Sequence, residues 1–432
     1  MTRQSRPQTV DEVRALQLAA LNQPSELFAG LAFLMEHNLF YRERLSGLSF
    51  PLRNLDSFFS LPETTKDQFV DDQQSFPPFG TNLSFAAETY TRISATSGTT
   101  GRRLKWLDTA ESWDWVVRCW EHIYEAAGVS AEDRVFAAFG FGPFLGFWAG
   151  FEAAARMGAL AVPGGGQSSR QRLDWLVDAS ITVLLSTPTY AMRLIEVAAE
   201  CHLDLPASTV TTTIHAGEPG ASIPSTRERI ETAFGARTFD HAGLTEVGAW
   251  GFDCPSREGM HLIESEFIGE VVSVDERRPV ADGEIGELIL TNLGRWGMPA
   301  IRYRTGDLVK PARGICSCGS PFMRFEGGVI GRRDDMVPVR GVNVYPSSIE
   351  SIVREDPTIV EYAAEAVERP GLWELSIQIE TTGSPSEVPK ALASRIHTQL
   401  GLQPVVAVVP VGSLPRYELK SKRFRIRKNE TS

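Results

Sequence analysis

Apolar residues recur at helical spacing through the first 45 positions: Val13, Leu16 and Ala20, then Leu27, Leu31 and Leu34. Steps of three and four put side chains on one helix face, so 11–45 predicts an all-helical N-terminal segment with Asp11 and Ser25 as N-caps. From about 90 to 330 the pattern changes. Short runs such as ARTFD and ITVLLS alternate with helix-like stretches such as SRQRLDWLVDA, the pattern of a largely parallel sheet covered by helices. Further on, EIGELILTNL reads as a strand pair with period-2 alternation, and PSSIESIVRED as a capped helix after a turn. The expected fold class is α/β. A large N-terminal body, 1–330, carries parallel-rich sheets covered by helices, and a small α+β domain, 331–432, follows. The boundary falls at GRRDDMVPVRG, where Gly331 and a charge cluster interrupt the apolar pattern. There is no internal repeat and no low-complexity segment.

Length agrees with that division, since 432 residues exceed one compact core. With 42% apolar and 22% charged residues the composition is that of a globular protein. A net charge of −11 argues against a surface that grips nucleic acid, because that affinity comes from Lys and Arg on phosphates. An anionic substrate stays open. Five cysteines do not make a secreted disulfide scaffold and favour a reducing cytoplasm. MTRQSRPQTVDEVRA has no apolar stretch behind its basic residues and does not read as a secretory signal. The longest uncharged run, Val135 to Phe151, is shorter than a membrane helix and is broken by Pro143 and four glycines. It reads as buried strand, turn and helix start, with no membrane partner.

Candidate chemistry begins at Thr96-Ser97-Gly98-Thr99-Thr100-Gly101, four hydroxyls and two glycines behind the run TYTRISA. Glycines let backbone N–H groups approach a polyphosphate and hydroxyls donate to its oxygens. Arg102, Arg103 and Lys105 follow and can neutralise its charge. No G-x-x-x-x-G-K-[ST] pattern occurs, so this is no P-loop. A polar turn without ligand is the other reading of these six residues.

The chain then carries, in order, HAGEP from His215, DHAGLTE from Asp240, YRTGD from Tyr303 and GRRDD from Gly331. With the hydroxyl-rich loop, these motifs resemble the adenylate-forming superfamily of acyl- and aryl-CoA synthetases, peptide-synthetase adenylation domains and luciferases. Within it, RGVNVYPSSIE, SLPRYELK and LPETTKDQF look most like the phenylacetate-CoA ligase branch. The likeness runs from about Leu27 to Lys428. It implies that a carboxylate attacks the α-phosphate of ATP to give an acyl-adenylate, from which a thiol displaces AMP. By this resemblance Ser97, Thr99 and Thr100, in the loop Thr96–Gly101, hold the β- and γ-phosphates. Thr245 donates to the α-phosphate and Glu246 helps hold Mg²⁺, which suits a carboxylate with phosphate oxygens. Asp307 accepts the ribose hydroxyls, Arg332 meets the ribose or phosphate, and Gly217, Glu218 and Pro219 form the adenine wall beside Asp240 and His241. The family's Tyr-Gly before Thr-Glu is here Ala242-Gly243, so a stacking ring has to come from His241 or Trp250. The catalytic lysine is Lys420 by motif position, with Lys422 as fallback, and Asp334 is the hinge on which a mobile C-terminal domain turns. The alternation Arg423 to Arg427 predicts a strand with one buried face.

Two further constellations stand out. Cys254 and His261, with Cys316 and Cys318, supply three thiolates and an imidazole, the shell of a structural zinc. Zinc-bearing members of the branch show the same order. Cys119 and Cys201 read as buried core thiols. Phe139, Phe141, Phe147 and Trp148 follow a strand end, where open α/β sheets bind ligands, and line an acyl pocket for an aromatic acid. Three functions follow: an aryl-acid:CoA ligase, an adenylating enzyme that loads a carrier protein's phosphopantetheine or another thiol, and a non-catalytic zinc-stabilised nucleotide-binding protein. A homodimer is left open.

Overall fold

The computed structural model describes residues 7–22, 30–96, 103–340, 342–369, 372–417 and 420–427. Its spine is a nine-stranded sheet. Five strands run parallel in the order Leu160–Pro163, Arg134–Ala137, Val183–Ser186, Thr212–His215 and Arg237–Leu244. The helices Gly146–Arg156, Ser169–Asp178, Pro188–Glu200 and Pro224–Phe234 connect them. Val183–Ser186 is buried at every position, which is why it reads as an unbroken apolar run. Antiparallel strands Gly248–Asp253, Met260–Leu262, Arg324–Phe325 and Pro311–Ala312 extend the sheet. The helix starts follow local chemistry: Ser168 and Gln171 form a capping box, and Thr187 caps the helix Pro188–Glu200 by accepting from the Tyr190 N–H.

A second, antiparallel sheet has the order Phe267–Val272, Gly286–Asn292, Tyr303–Val309 and Gly331–Arg332. The expected strand pair in EIGELILTNL is one strand, Gly286–Asn292, buried at all seven positions. It has neighbours on both edges, so alternation gives way to continuous burial. In the N-terminal helix Val10–Asn22 the buried face is Val13, Gln17 and Leu21, while Leu16 is exposed. Gln17 was passed over as polar, yet its amide donates to the Glu264 and Phe267 carbonyls at 3.2 and 3.0 Å. The cap is Thr9, whose Oγ1 accepts from the Glu12 N–H at 3.2 Å; Asp11 lies inside the first turn, and Ser25 lies outside the described residues.

C-terminal to residue 336 a separate core forms around Val344, Ile349, Ile377 and Leu392. The long hairpin Ile359–Arg369 and Leu372–Thr381 is flanked by parallel edge strands Val405–Val408 and Phe424–Arg427. The strand predicted there exists, but its buried face does not: Phe424 is half-buried and Ile426 is exposed. The buried residue is Arg423, just before the strand, whose guanidinium forks Glu361 at 2.6 and 2.9 Å. No helix of the described residues is long and apolar enough to cross a membrane.

Candidate active site

The parallel strands Thr212–His215 and Arg237–Leu244 deliver Gly217–Pro219 and Thr245–Glu246 at their carboxyl ends, where open sheets bind ligands. Glu246 is buried. Its Oε1 accepts from the Tyr303 hydroxyl at 3.2 Å and lies 3.2 Å from the Lys66 Nζ. Behind Thr245, the fully buried Arg295 donates to the Thr245 carbonyl at 2.7 Å and forks the buried Asp108 at 2.6 and 2.7 Å. A buried guanidinium keeps its charge only where such hydrogen bonds satisfy it, so this pair fixes the Thr-Glu turn from beneath. Sequence reasoning missed Lys66, Arg295 and Asp108. A signal existed only for Lys66: in LPETTKDQF, Thr65 and Gln68 form a capping box that makes Lys66 the first residue of a helix.

Asp307 and Arg332 face each other across adjacent strands, and Arg332 Nη1 donates to Asp307 Oδ1 at 2.8 Å. Burial pushes the Asp307 carboxyl up to about 6, with Arg332 opposing. Lys420 joins this group from the C-terminal domain. A Cβ added at Gly217 would stand 3.2 Å from Lys420 Cε and 3.9 Å from its Nζ. Lys420 is exposed at the surface of the domain, yet crowding by the body lowers its pKa by desolvation, Glu218 and Asp307 oppose the shift, and Arg332 and Lys66 add to it. Lys422 is exposed too, and what sets Lys420 apart is its approach to Gly217. Gly217 has φ +95, a backbone that side chains rarely adopt. The Glu218 carboxylate accepts the Thr189 N–H at 3.0 Å and the Ser421 N–H at 2.7 Å.

Other expected site residues are more varied. Thr96 is buried, its Oγ1 accepting the Leu104 N–H at 3.1 Å, whereas Ser97, Gly98, Thr99, Thr100 and Gly101 lie outside the described residues. Asp240 is buried, and burial, with Asp253 nearby, pushes its carboxyl up to about 7. His241 is buried with its ring 4.3 Å from that of Trp120, and burial pushes its pKa down to about 4. Trp250 is fully buried against Phe325. Both candidate replacement rings are thus core residues, because each sits on a strand flanked by neighbours on both sides. Asp334 is exposed, with its carboxylate 3.9 Å from Arg332 Nη2. Phe139, Phe141 and Trp148 form one aromatic cluster, with centroids 4.8 and 4.5 Å apart, and the Trp148 indole donates to the Gly142 carbonyl at 3.0 Å. The side chain of Phe147 lies outside the description.

The four metal-ligand candidates meet. One ligand atom from each of Cys254, His261, Cys316 and Cys318 lies within 4.8 Å of all the others. The Cys254 and Cys316 sulfurs are 3.9 Å apart, and Cys318 Sγ is 3.6 Å from His261 Nε2. A tetrahedral zinc with sulfur at about 2.3 Å requires sulfur edges of about 3.8 Å, so the donor set fits the ion. His261 Nδ1 pairs with the Phe322 carbonyl at 3.1 Å, which leaves Nε2 as the ligand. Cys119 is buried as expected, but Cys201 ends a helix and is only half-buried.

A family model described as the AMP-binding enzyme C-terminal domain matches residues 341–427. The phenylacetate-coenzyme A ligase of Escherichia coli K12 is 31% identical over 96% of this chain and 95% of its own length. That of Thermus thermophilus is 28% identical over 94% and 95%. A 2-hydroxyisobutyryl-CoA ligase crystallised in the postadenylation state with 2-HIB-AMP superposes with a TM-score of 0.89, at 26% identity over 96% of this chain and 90% of that one. The same ligase in its thioesterification state superposes at 0.72, with 27% identity over 97% and 91%.

Proposed function

The chain belongs to the phenylacetate-CoA ligase family of AMP-forming acid–CoA ligases, and on that premise we propose that it activates an aromatic carboxylic acid with ATP and passes the acyl group to coenzyme A. The observation that carries this is the placement of Lys420 beside Gly217, within electrostatic reach of Glu218, Asp307 and Arg332. In the first step a carboxylate oxygen bonds the α-phosphorus and pyrophosphate leaves. Two anions meet there, so preorganised positive charge and donors must offset the repulsion. Lys420, Arg332 and Lys66 supply the charge and Thr245 donates to the α-phosphate. Glu246 would hold Mg²⁺ on the phosphates. Asp307 accepts the ribose hydroxyls and the Gly217–Pro219 backbone walls the adenine beside Asp240, with the loop Thr96–Gly101 on the outer phosphates. Phe139, Phe141, Phe147 and Trp148 hold the acid. In the second step a thiol sulfur bonds the acyl carbon and AMP leaves. Rotation at Asp334, between a body ending near 330 and the C-terminal domain, serves that exchange, and the Cys254–His261–Cys316–Cys318 cluster is a structural zinc site. The cytoplasm fits a chain whose cysteines are free.

Acid-dependent exchange of pyrophosphate into ATP across a panel of aromatic acids, run with and without CoA, tests the reading. We expect exchange with an aryl acid, and AMP with acyl-CoA once CoA is added. Failure of every acid to support exchange overturns it, and acylation of a carrier protein in place of CoA moves the acceptor.

Asp307 adds a pH dependence. Ribose recognition needs the ionised carboxylate, whose pKa burial raises to about 6. The acceptor is therefore intact above that value and lost as pH falls through it. The KM for ATP should rise several-fold between about pH 7.5 and 5.5, ordinary carboxylates being already ionised throughout that window. Asp307→Asn should show a high KM with a weaker pH dependence, what remains coming from Asp240, whose carboxyl burial pushes up to about 7; a wild-type KM flat across the window contradicts the role.

A further inference from the structure

We propose that Glu218 is a positioning residue for Lys420: its carboxylate ties the lysine-bearing segment to the body in the adenylating pose and is released when the C-terminal domain turns. The inference rests on the CoA-ligase reading above and adds to it the group that holds the pose. Glu218 is joined to both domains. One oxygen takes the N–H of Thr189, in the first turn of the helix Pro188–Glu200, and the other takes the N–H of Ser421, the residue after Lys420. Glu218 is half-buried; a carboxylate partly withdrawn from water is costly unless hydrogen-bonded, and a helix N-terminus is a favourable place for it. The Thr189 hydroxyl also bonds Glu218, and the Ser421 bond exists only while that segment is docked.

A second tether from the same helix reinforces the first. Arg423 Nη1 donates to Thr189 Oγ1 at 2.9 Å while the rest of the guanidinium forks Glu361 of the C-terminal domain. Thr189 therefore receives the domain through its hydroxyl and orients Glu218 through both its N–H and that hydroxyl. Lys420 immediately precedes these ties, so its ammonium reaches the reacting phosphate without searching many rotamers, an entropic gain specific to the first half-reaction. Once the domain turns, both ties break and the lysine leaves with them.

The test is Glu218→Gln in the full-length enzyme. One amide oxygen still accepts, but the NH₂ group faces an N–H, and one charge-assisted bond is lost. Acyl-adenylate formation should fall about tenfold to a hundredfold in kcat, the effect of losing a hydrogen bond to a charged group, with the KM for ATP changed by less than about threefold. CoA attack on a supplied acyl-adenylate should keep its rate or rise, because the competing pose is weakened. Thr189→Val, which removes the Arg423 contact and the hydroxyl's own bond to Glu218 while leaving the carboxylate in place, should show the same split at smaller size and guards against a misfolded Glu218 variant. Equal loss in both half-reactions, or no loss, overturns the proposal while leaving the ligase reading intact. Hydrogen exchange of the 414–427 segment needs no catalysis. It should speed up in Glu218→Gln, and unchanged exchange overturns the proposal even if wild-type enzyme supports no pyrophosphate exchange, the result that would defeat the functional reading instead.

Discussion

Replacing Lys420 by Ala is expected to lower acyl-adenylate formation by roughly 10²–10³-fold, the usual loss when one preorganised donor to a developing charge is removed. Thiolation of a supplied acyl-adenylate should stay within about twofold of wild type, because stabilisation confined to the first transition state does not act on the second. The geometry makes the separation sharp. Lys420 reaches the site only through a segment docked on Glu218 and Thr189, and superposition is closer on a relative in its postadenylation state than in its thioesterification state. Arg332 and Lys66 remain in the Ala variant and keep part of the electrostatic field, which is why the loss is not total. Lys420→Arg should not restore the rate, since a planar fork cannot occupy the place of a compact ammonium beside Gly217. Lys422→Ala should leave both half-reactions unchanged, as it is Lys420 that approaches Gly217. Single-turnover measurement of each half-reaction decides the matter. Loss of equal size in both would remove Lys420 from its role, and a sensitive Lys422 would shift the register by two residues.

The parallel half of the central sheet was legible in the sequence because its interior strand Val183–Ser186 is buried at every position and leaves a continuous apolar run between two helices that Ser168 and Thr187 cap. Such signals are local. The misreadings share one cause: a residue's face is set by its neighbours in space. Gln17 is polar and lies outside the apolar spacing of its helix, and only the distant Glu264 and Phe267 carbonyls make its burial inexpensive. Arg423 was assigned to an exposed alternation, yet Glu361 brings it inside. The site divides in the same way. Thr245, Glu246, Asp307 and Lys420 sit in motifs whose order could be matched to a family, and the fold gathers them. Arg295 and Asp108 lie 187 positions apart, and Glu218 and Ser421 lie 203 apart, each outside any motif that names both partners. Nothing in the linear chain announces those pairs. Trp250 shows the converse, an aromatic ring near a motif that packing commits to the core.

The four-residue cluster leads to the other large effect, and it rests on no assumption about catalysis. Purified protein should carry about one zinc per chain, since a shell of three thiolates and one imidazole is complete and leaves no open position for chemistry. The ligands come from the end of the strand Gly248–Asp253, from Met260–Leu262 and from the turn after Pro311–Ala312, so the ion would staple the far edge of the nine-stranded sheet. Within that turn the Cys316 N–H donates to the Ser320 carbonyl and the Gly319 N–H to the Cys316 carbonyl, a fold that presents both thiols to one side. Thiolates must lose their protons to bind, so chelator or acid should release the metal. Removing a ligand that binds only the folded state costs its full binding linkage, and the thermal midpoint should drop by roughly 5–10 °C. Hydrogen exchange should accelerate at 254–261 and 314–320 before the parallel strands are affected. Replacing both Cys316 and Cys318 by Ser should reproduce the metal-free behaviour, whereas Cys119→Ser and Cys201→Ser should leave zinc content unchanged. Zinc-free protein with an unaltered midpoint, or full zinc in the double variant, would show that four sulfur and nitrogen atoms within 4.8 Å of one another pack together without binding a metal.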